Sequence, residues 1–531
     1  MRYKLLLTIL WIGCCTTIQA QTNPFLKDFQ EFRQGIKSDY QKFLDEANRG
    51  YVALLRGEWI ERKVTKPVEQ PLEDKVKPIK IKPEEVIPVK EEPVKEEPVK
   101  EEPVKEEPVK EEPVEETPVK EEPAQDVPVK KEPVEVKVTP VELPEVIPQP
   151  TPVVPISEID DKKTDKIDFN FYGTPMSVRL GKQEHYKVTS CEKDGIADAW
   201  EAMVKEDYSN TLVDCLSLRE KYKLNDWAYL QMLDSLTTTC FGGKSNESVM
   251  LMSYFYQQSG YDMRIGNEDG KLHMLFATYH VIYDEPYYTF DNKNYFIYGK
   301  KDDRSYLQVC NAGFPHEKRL SLVLTEPVQL AYQPTTARRV TAEKYREMDV
   351  EYSVNKNIID FYNSYPSSRV GDNKMTRWGM LAKTPLFNNT GEQLTASLKE
   401  KINGMSQRNA VERLLNWVQT GFEYEFDETI WGKDRAFFPE ETLFYPYDDC
   451  EDRSILLSRL ITDLLGLECL LVYYPGHLAM AVHFDEDIKG DYIDFKGKRY
   501  IVCDPTYIGA SIGMTMPDMD NSTAEVVVIK K

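Results

Sequence analysis

The chain lacks an excess of positive charge: 67 lysines and arginines stand against 89 aspartates and glutamates, for a net charge of −22. No basic stripe is available to neutralise phosphates, so nucleic-acid partners are excluded. It also lacks any C-x-x-C pair, which argues against zinc ribbons and redox pairs. Beyond the first 20 residues no apolar run approaches the ~20 residues that a spanning helix needs.

What is present begins with M-R-Y-K-L-L-L-T-I-L-W-I-G-C-C-T-T-I-Q-A-Q. A basic start, a short apolar stretch and a small residue at Ala20 read as a signal peptide over residues 1–20. Trp11 spoils W-I-G-C as a lipidation box, so cleavage after Ala20 is expected rather than lipidation at Cys14. The protein is expected to be exported: periplasmic, surface-associated or secreted. Cleavage leaves Cys191, Cys215, Cys240, Cys310, Cys450, Cys469 and Cys503, an odd set, so at least one thiol is unpaired or kept for chemistry.

Composition divides the remainder. Residues 21–63 space Phe29, Phe32, Tyr40, Phe43, Tyr51, Leu54, Leu55 and Trp59 at helical intervals, predicting an amphipathic helical segment that would serve for docking or as an envelope anchor. Residues 64–165 are rich in Pro and Val, with P-V-K-E-E recurring from about Pro88 to Pro123. Proline at every fifth position removes amide donors and blocks helix and sheet, so a disordered, extended linker is expected. At ~3.1 Å per residue such a spacer reaches ~300 Å per hundred residues.

The globular part carries one pattern twice. The later copy reads C-E-D-R-S-I-L-L…G-L-E-C-L-L-V-Y-Y-P-G-H-L-A-M-A-V…K-R-Y-I-V-C-D-P-T-Y; the earlier reads K-S-N-E-S-V-M-L…S-G-Y-D-M-R-I…K-L-H-M-L-F-A-T…K-N-Y-F-I-Y-G-K-K. Offsets of 204 to 206 residues align His273 with His477, Gly260 with Gly466, and the last strand of each copy. A duplication follows, with residues 166–345 a degenerate domain and 346–531 its intact counterpart. The earlier copy has Asn246 or Lys244 opposite Cys450, and Gly299 opposite Asp504. Only the histidine is expected to persist.

In the later copy Ile455, Leu456, Leu460, Ile461, Leu464 and Leu465 keep helical period, and Gly466 ends the run. Asp448 or Asp449 is the expected N-cap, with Glu451 and Asp452 in the first turn. Cys450 then stands at a helix N-terminus, where unpaired amides favour a thiolate and can donate to an oxyanion. The neighbouring carboxylates oppose the thiolate, so a cationic partner is needed. His477 opens a strand after the P-G turn; His483, about 20 Å further along it, cannot share that site. Asp504 closes the next strand, placed to hold an imidazole. Cys503 alternates to the opposite face and is expected in the core or in a disulfide.

Three motifs in this order, D-C-E-D-R-S, G-H-L-A-M-A-V and V-C-D-P-T-Y, resemble the transglutaminase-like superfamily, as does the upstream W-V-Q-T-G-F-E-Y-E-F-D with Trp417 and Tyr424. The resemblance covers about 405–510 and extends only weakly to 166–300. It implies an α+β, papain-like core in which the cysteine-bearing helix packs on an antiparallel sheet. It also implies a Cys450–His477–Asp504 triad acting by acyl transfer on peptide or side-chain amides. A peptidase or amidase is the expected activity; the alternatives are a transglutaminase-type cross-linker and a non-catalytic envelope scaffold with a vestigial triad. The family often shows an aromatic after the histidine motif where this chain has Leu478 and Ala479, which bears on the substrate groove. Trp431, Tyr445 and Tyr447 all stand where a second oxyanion donor is drawn in the family. No metal ion or organic cofactor is expected, and no calcium loop signature is present. The expected partner is a protein or peptide substrate in the envelope or outside the cell.

Overall fold

The computed structural model describes residue 39 and residues 42–72, 75–81, 139–142, 165–180, 186–206, 208–299 and 306–529. The expected signal peptide and the P-V-K-E-E repeat lie outside these residues. Two compact α+β units are present, each assembled from separated stretches. Within the described residues the first takes those up to Gln70, those from 165 to Thr335, and Asn355–Arg377; the second takes 71–81, 139–142, Thr336–Val354 and the residues from Trp378 onward.

This division departs from composition in three places. The stretches 64–72, 75–81 and 139–142, expected in the linker, are ordered parts of the units: Thr65 bridges to Tyr287, Lys80 to Ile508, and Thr139–Glu142 pairs with Glu525–Val528. For 75–81 the reason is a short set of apolar residues, Val76, Ile79 and Ile81, packed on Tyr507, Ala510 and Met516. Residues 21–38, 40 and 41 of the expected helical segment lie outside the described residues; within the described ones 42–55 is helical and the helix stops before Trp59. Gly57 closes its last turn on the Leu54 carbonyl (2.9 Å), and Trp59–Lys63 continues as a strand. The hairpin Arg338–Thr341 with Asp349–Tyr352 belongs to the second unit rather than to the preceding domain.

In the first unit, helices Lys193–Lys205, Ser209–Lys221, Asp226–Cys240 and Asn246–Gln258 accompany a six-stranded antiparallel sheet. Its order is Trp59–Lys63, Tyr306–Cys310, Met263–Glu268, Lys271–Ala277, Lys293–Ile297, Tyr287–Phe290. In the second unit the order is Thr139–Glu142, Glu525–Val528, Glu468–Tyr474, His477–His483, Lys498–Cys503, Tyr492–Phe495. All its pairings are antiparallel except that of Thr139–Glu142, which runs parallel to Glu525–Val528. Helix Cys450–Leu465 packs on the central hairpin and is flanked by helices Gln407–Gly421, Asn388–Ile402 and Pro439–Phe444. Enclosed on so many sides, it buries Arg453, Ser454 and Ser458 along with its leucines. Gly466, at φ +70°, ends it in the left-handed conformation that glycine adopts without strain.

The two units therefore repeat one topology: a helix, a glycine, a hairpin, then a second hairpin whose later strand joins the first. The ladder alters one expected equivalence. Tyr474 pairs with His477 across its turn as Glu268 pairs with Lys271, so Lys271, not His273, occupies the position of His477. His273 lies two residues deeper, buried, with Nε2 3.2 Å from Glu268 Oε2. At the helix start the counterpart of Cys450 is Asn246, the first residue after the Ser245 cap. The Leu272 N–H donates to its side-chain oxygen (3.0 Å), just as the Leu478 N–H faces the Cys450 thiol. No member of the expected triad persists in the first unit.

Candidate active site around Cys450

Asp449 is the cap residue and Cys450 the first residue of helix Cys450–Leu465. The N–H groups of this first turn have no intrahelical acceptors. The helix enters beside the hairpin, and Ser454 Oγ donates to the Leu478 carbonyl (2.8 Å), fixing the helix start against the strand that His477 opens. Cys450 and His477 are 2% and 1% exposed, so both side chains are withdrawn from bulk water.

His477 and Asp504 meet as expected. Nε2 lies 2.9 Å from Asp504 Oδ2. The other oxygen, Oδ1, accepts the N–H groups of Thr506 (2.8 Å) and Tyr507 (3.2 Å). Gln419 donates to the carbonyls of Asp504, Tyr507 and Ala510, so the turn carrying the carboxylate is itself held. Tyr474, across the hairpin, lies nearly parallel to the imidazole, with centroids 6.2 Å apart. His477 Nδ1 is buried with no partner among the described residues. The imidazole is thus oriented at one nitrogen and open at the other.

The thiol does not bond that open nitrogen. Cys450 Sγ donates to Glu451 Oε2 at 3.2 Å. Burial, then the charges of Glu451 and Asp449, push the thiol pKa well above its ordinary value, while Lys75 and the Leu478 N–H pull it down. In this arrangement Cys450 is a protonated thiol.

The four carboxylates around Cys450 have separate tasks; Asp449 is the cap residue, as expected, and Asp452 closes the first turn on it. Asp452 accepts the N–H of Asp449 (3.3 Å) and that of Phe437 (2.8 Å). Asp448 pairs with Arg453 Nε (2.7 Å); Arg453 is fully buried and also donates to the carbonyls of Gln419 and Phe422. Asp449 and Glu451 turn to Lys75. Its ammonium contacts Asp449, Glu451 (3.0 Å), Asp427 (3.2 Å) and Asp434 (3.1 Å), and the side chain is 4% exposed. Burial works against that charge, yet the carboxylates, Glu451 foremost, hold the lysine pKa above its ordinary value. Oxygens of Asp427, Asp434 and Glu451 converge as closely as ligands of a divalent cation would, but the lysine ammonium stands among them.

Composition placed Lys75 in the linker, so it was not among the expected site residues; Asp427 and Asp434, distant in sequence from the cysteine motif, were missed as well. Among the aromatics, Tyr424 carries the relevant signal. Its hydroxyl is buried without a partner among the described residues, and the charges of Cys450, Asp449 and Glu451 act on it. Arg453 lies over its ring at 5.3 Å, which fixes the ring position. His483 stands apart at the far end of the strand, on the Arg499 carbonyl (2.9 Å). All seven described cysteines are free, and Cys503 is a core residue rather than a disulfide partner. Among the described residues no helix is long and apolar enough to cross a membrane. Compared with known proteins, the chain matches no family model, no curated protein and no solved structure.

Proposed function

We propose that the protein is an exported cysteine amidase or peptidase, with Cys450 as nucleophile, His477 as proton carrier and Asp504 as the group that orients it. One observation carries this reading: His477 is bonded through Nε2 to Asp504 and leaves Nδ1 open, on the strand against which the Cys450 helix start is fixed. An imidazole held at one nitrogen and free at the other is the arrangement a proton shuttle requires. The leader-like first 20 residues support export.

The reaction starts when the thiol turns from Glu451 to His477. Nδ1 takes its proton as Sγ adds to the amide carbonyl carbon. The C–N bond breaks, and the amine leaves with that proton. Water, giving a proton to His477, then adds to the thioester. The C–S bond breaks, the acid departs and the thiol is restored. The Cys450 N–H and the Tyr424 hydroxyl are the donors proposed for the developing oxyanion. A scaffold with a resting triad is the second reading, favoured by the bond from Sγ to Glu451 instead of His477.

The test is covalent trapping. The full chain is incubated with a peptide amide library, quenched in acid and analysed by intact and peptide mass spectrometry. A thioester adduct on Cys450 is expected in the wild type and none in His477→Ala. Hydrolysis that survives Cys450→Ala unchanged would sink the proposal.

A further inference from the structure

The four carboxylates that hold Lys75 face a segment of the chain that runs through the site. The Val76 N–H donates to the carbonyl of Gly476 (2.9 Å), the residue before His477. Further on, the Ile508 N–H donates to Ile79 (2.8 Å) and the Ile81 N–H to Ile508 (3.0 Å), four residues beyond Asp504. Residues 75–81 therefore pass both strand ends that carry the triad, in extended form, with backbone bonds of the kind that an enzyme makes to a peptide. At its start one lysine side chain is buried beside Cys450. Glu451 joins the two, with Oε1 on Lys75 Nζ and Oε2 on Cys450 Sγ.

An acidic cluster alone is not a site. Here an ammonium already fills it, and polar capacity stands open next to it: Tyr424 OH, on which the charges of Asp449, Glu451 and Lys75 act, and Asp449 Oδ1 are buried with no partner among the described residues.

We infer that Asp427, Asp434, Asp449 and Glu451 form the subsite for a primary ammonium on the substrate, that the substrate is a peptide bearing a lysine-type side chain, and that Lys75 occupies this subsite in cis. The inference rests on the reading of Cys450 as nucleophile. The ammonium is a recognition handle, not an attacking amine: held charged among four carboxylates, it has no lone pair to offer. A substrate enters by displacing residues 75–81, which act as a competing strap. The socket suits a compact ammonium, which can spread its three donors over several carboxylates.

The experiment uses the full chain as wild type, Lys75→Met, and Lys75→Met with Asp434→Asn. Each is treated with two peptidyl chloromethyl ketones that differ only in lysine against norleucine, and labelling of Cys450 is timed by mass spectrometry. Removing the competitor is expected to speed the lysine probe by about tenfold or more, as charge-assisted hydrogen bonds to an ammonium allow, with a much smaller change for norleucine. Adding Asp434→Asn should shrink that preference. Equal rates for both probes on Lys75→Met overturn the subsite while leaving the nucleophile intact. If neither probe nor iodoacetamide modifies Cys450 in any form, the nucleophile itself fails, and the subsite with it.

Thermal unfolding supplies the second readout. If Lys75→Met is unstable, n-butylammonium should restore its transition and butanol should not. A variant that stays unfolded with n-butylammonium shows a permanent structural lysine and overturns the proposal. So does one rescued by calcium but not by n-butylammonium.

Discussion

Asp504 is held through both oxygens, one by His477 and the other by two backbone N–H groups of its own turn. Such a carboxylate fixes the tautomer of the imidazole and stabilises its cation. Asp504→Asn keeps the shape but turns an acceptor into a donor toward Nε2, which selects the wrong tautomer. On any amide that the wild type hydrolyses, kcat should fall by ~10²- to 10⁴-fold while the melting temperature changes little. A loss of less than about tenfold would remove Asp504 from the mechanism. The places of Cys450, His477 and Asp504 on their elements were legible in the sequence because each stands at a local punctuation mark: a helix cap, a P-G turn, an Asp-Pro stop. The role of each neighbouring carboxylate was not legible. Burial and partner choice, not spacing, separated Asp448 on Arg453 from Asp449 on Lys75.

At the scale of elements, helix Cys450–Leu465 is bounded by devices written into its sequence. Asp452 accepts the N–H of Asp449 at one end, and Gly466 takes a left-handed conformation at the other. Gly466→Ala places a Cβ at φ +70° and should lower stability by ~1 kcal/mol in urea unfolding. An unchanged midpoint would mean that the helix end relaxes into another cap. The strap 75–81 shows the opposite case. Its three apolar residues lie among lysines and prolines, so composition averaged over a hundred residues hid them. Only the receiving surface of Tyr507, Ala510 and Met516 makes that set a packed element.

Across the molecule, among the described residues, a minority of carboxylates lie where water is excluded, several of them around Cys450. Asp427 is pushed up to about 7, chiefly by burial, with Lys75 opposing it; Asp448 is pushed up to about 6, again by burial, against the pull of Arg453. The ordinary aspartate value is 3.8, so between about pH 4 and 7 the folded chain binds more protons than the unfolded one. The contribution of these groups to stability is therefore greatest below about pH 4, declines as pH rises through that window, and is flat above it. Urea midpoints measured across the window for wild type and Asp427→Asn should show the slope of the wild type reduced in the variant. Parallel pH profiles would place Asp427 outside this coupling.

The sequence by itself determined the local elements: the helix that starts at Cys450 and stops at Gly466, the hairpin that presents His477, the strand that ends at Asp504, and the repetition of this order in an earlier stretch. These follow from period, caps and turns, which act over a few residues. The tertiary structure alone decided which residues face each other across long separations. It made Lys271 rather than His273 the counterpart of His477 in the earlier copy, because strand register depends on where each hairpin closes. It also drew Lys75 from the edge of a charged, proline-rich stretch into a socket of four carboxylates. Buried carboxylates are stabilised by whichever cation the fold brings within reach, and no local rule names a partner some 350 residues away.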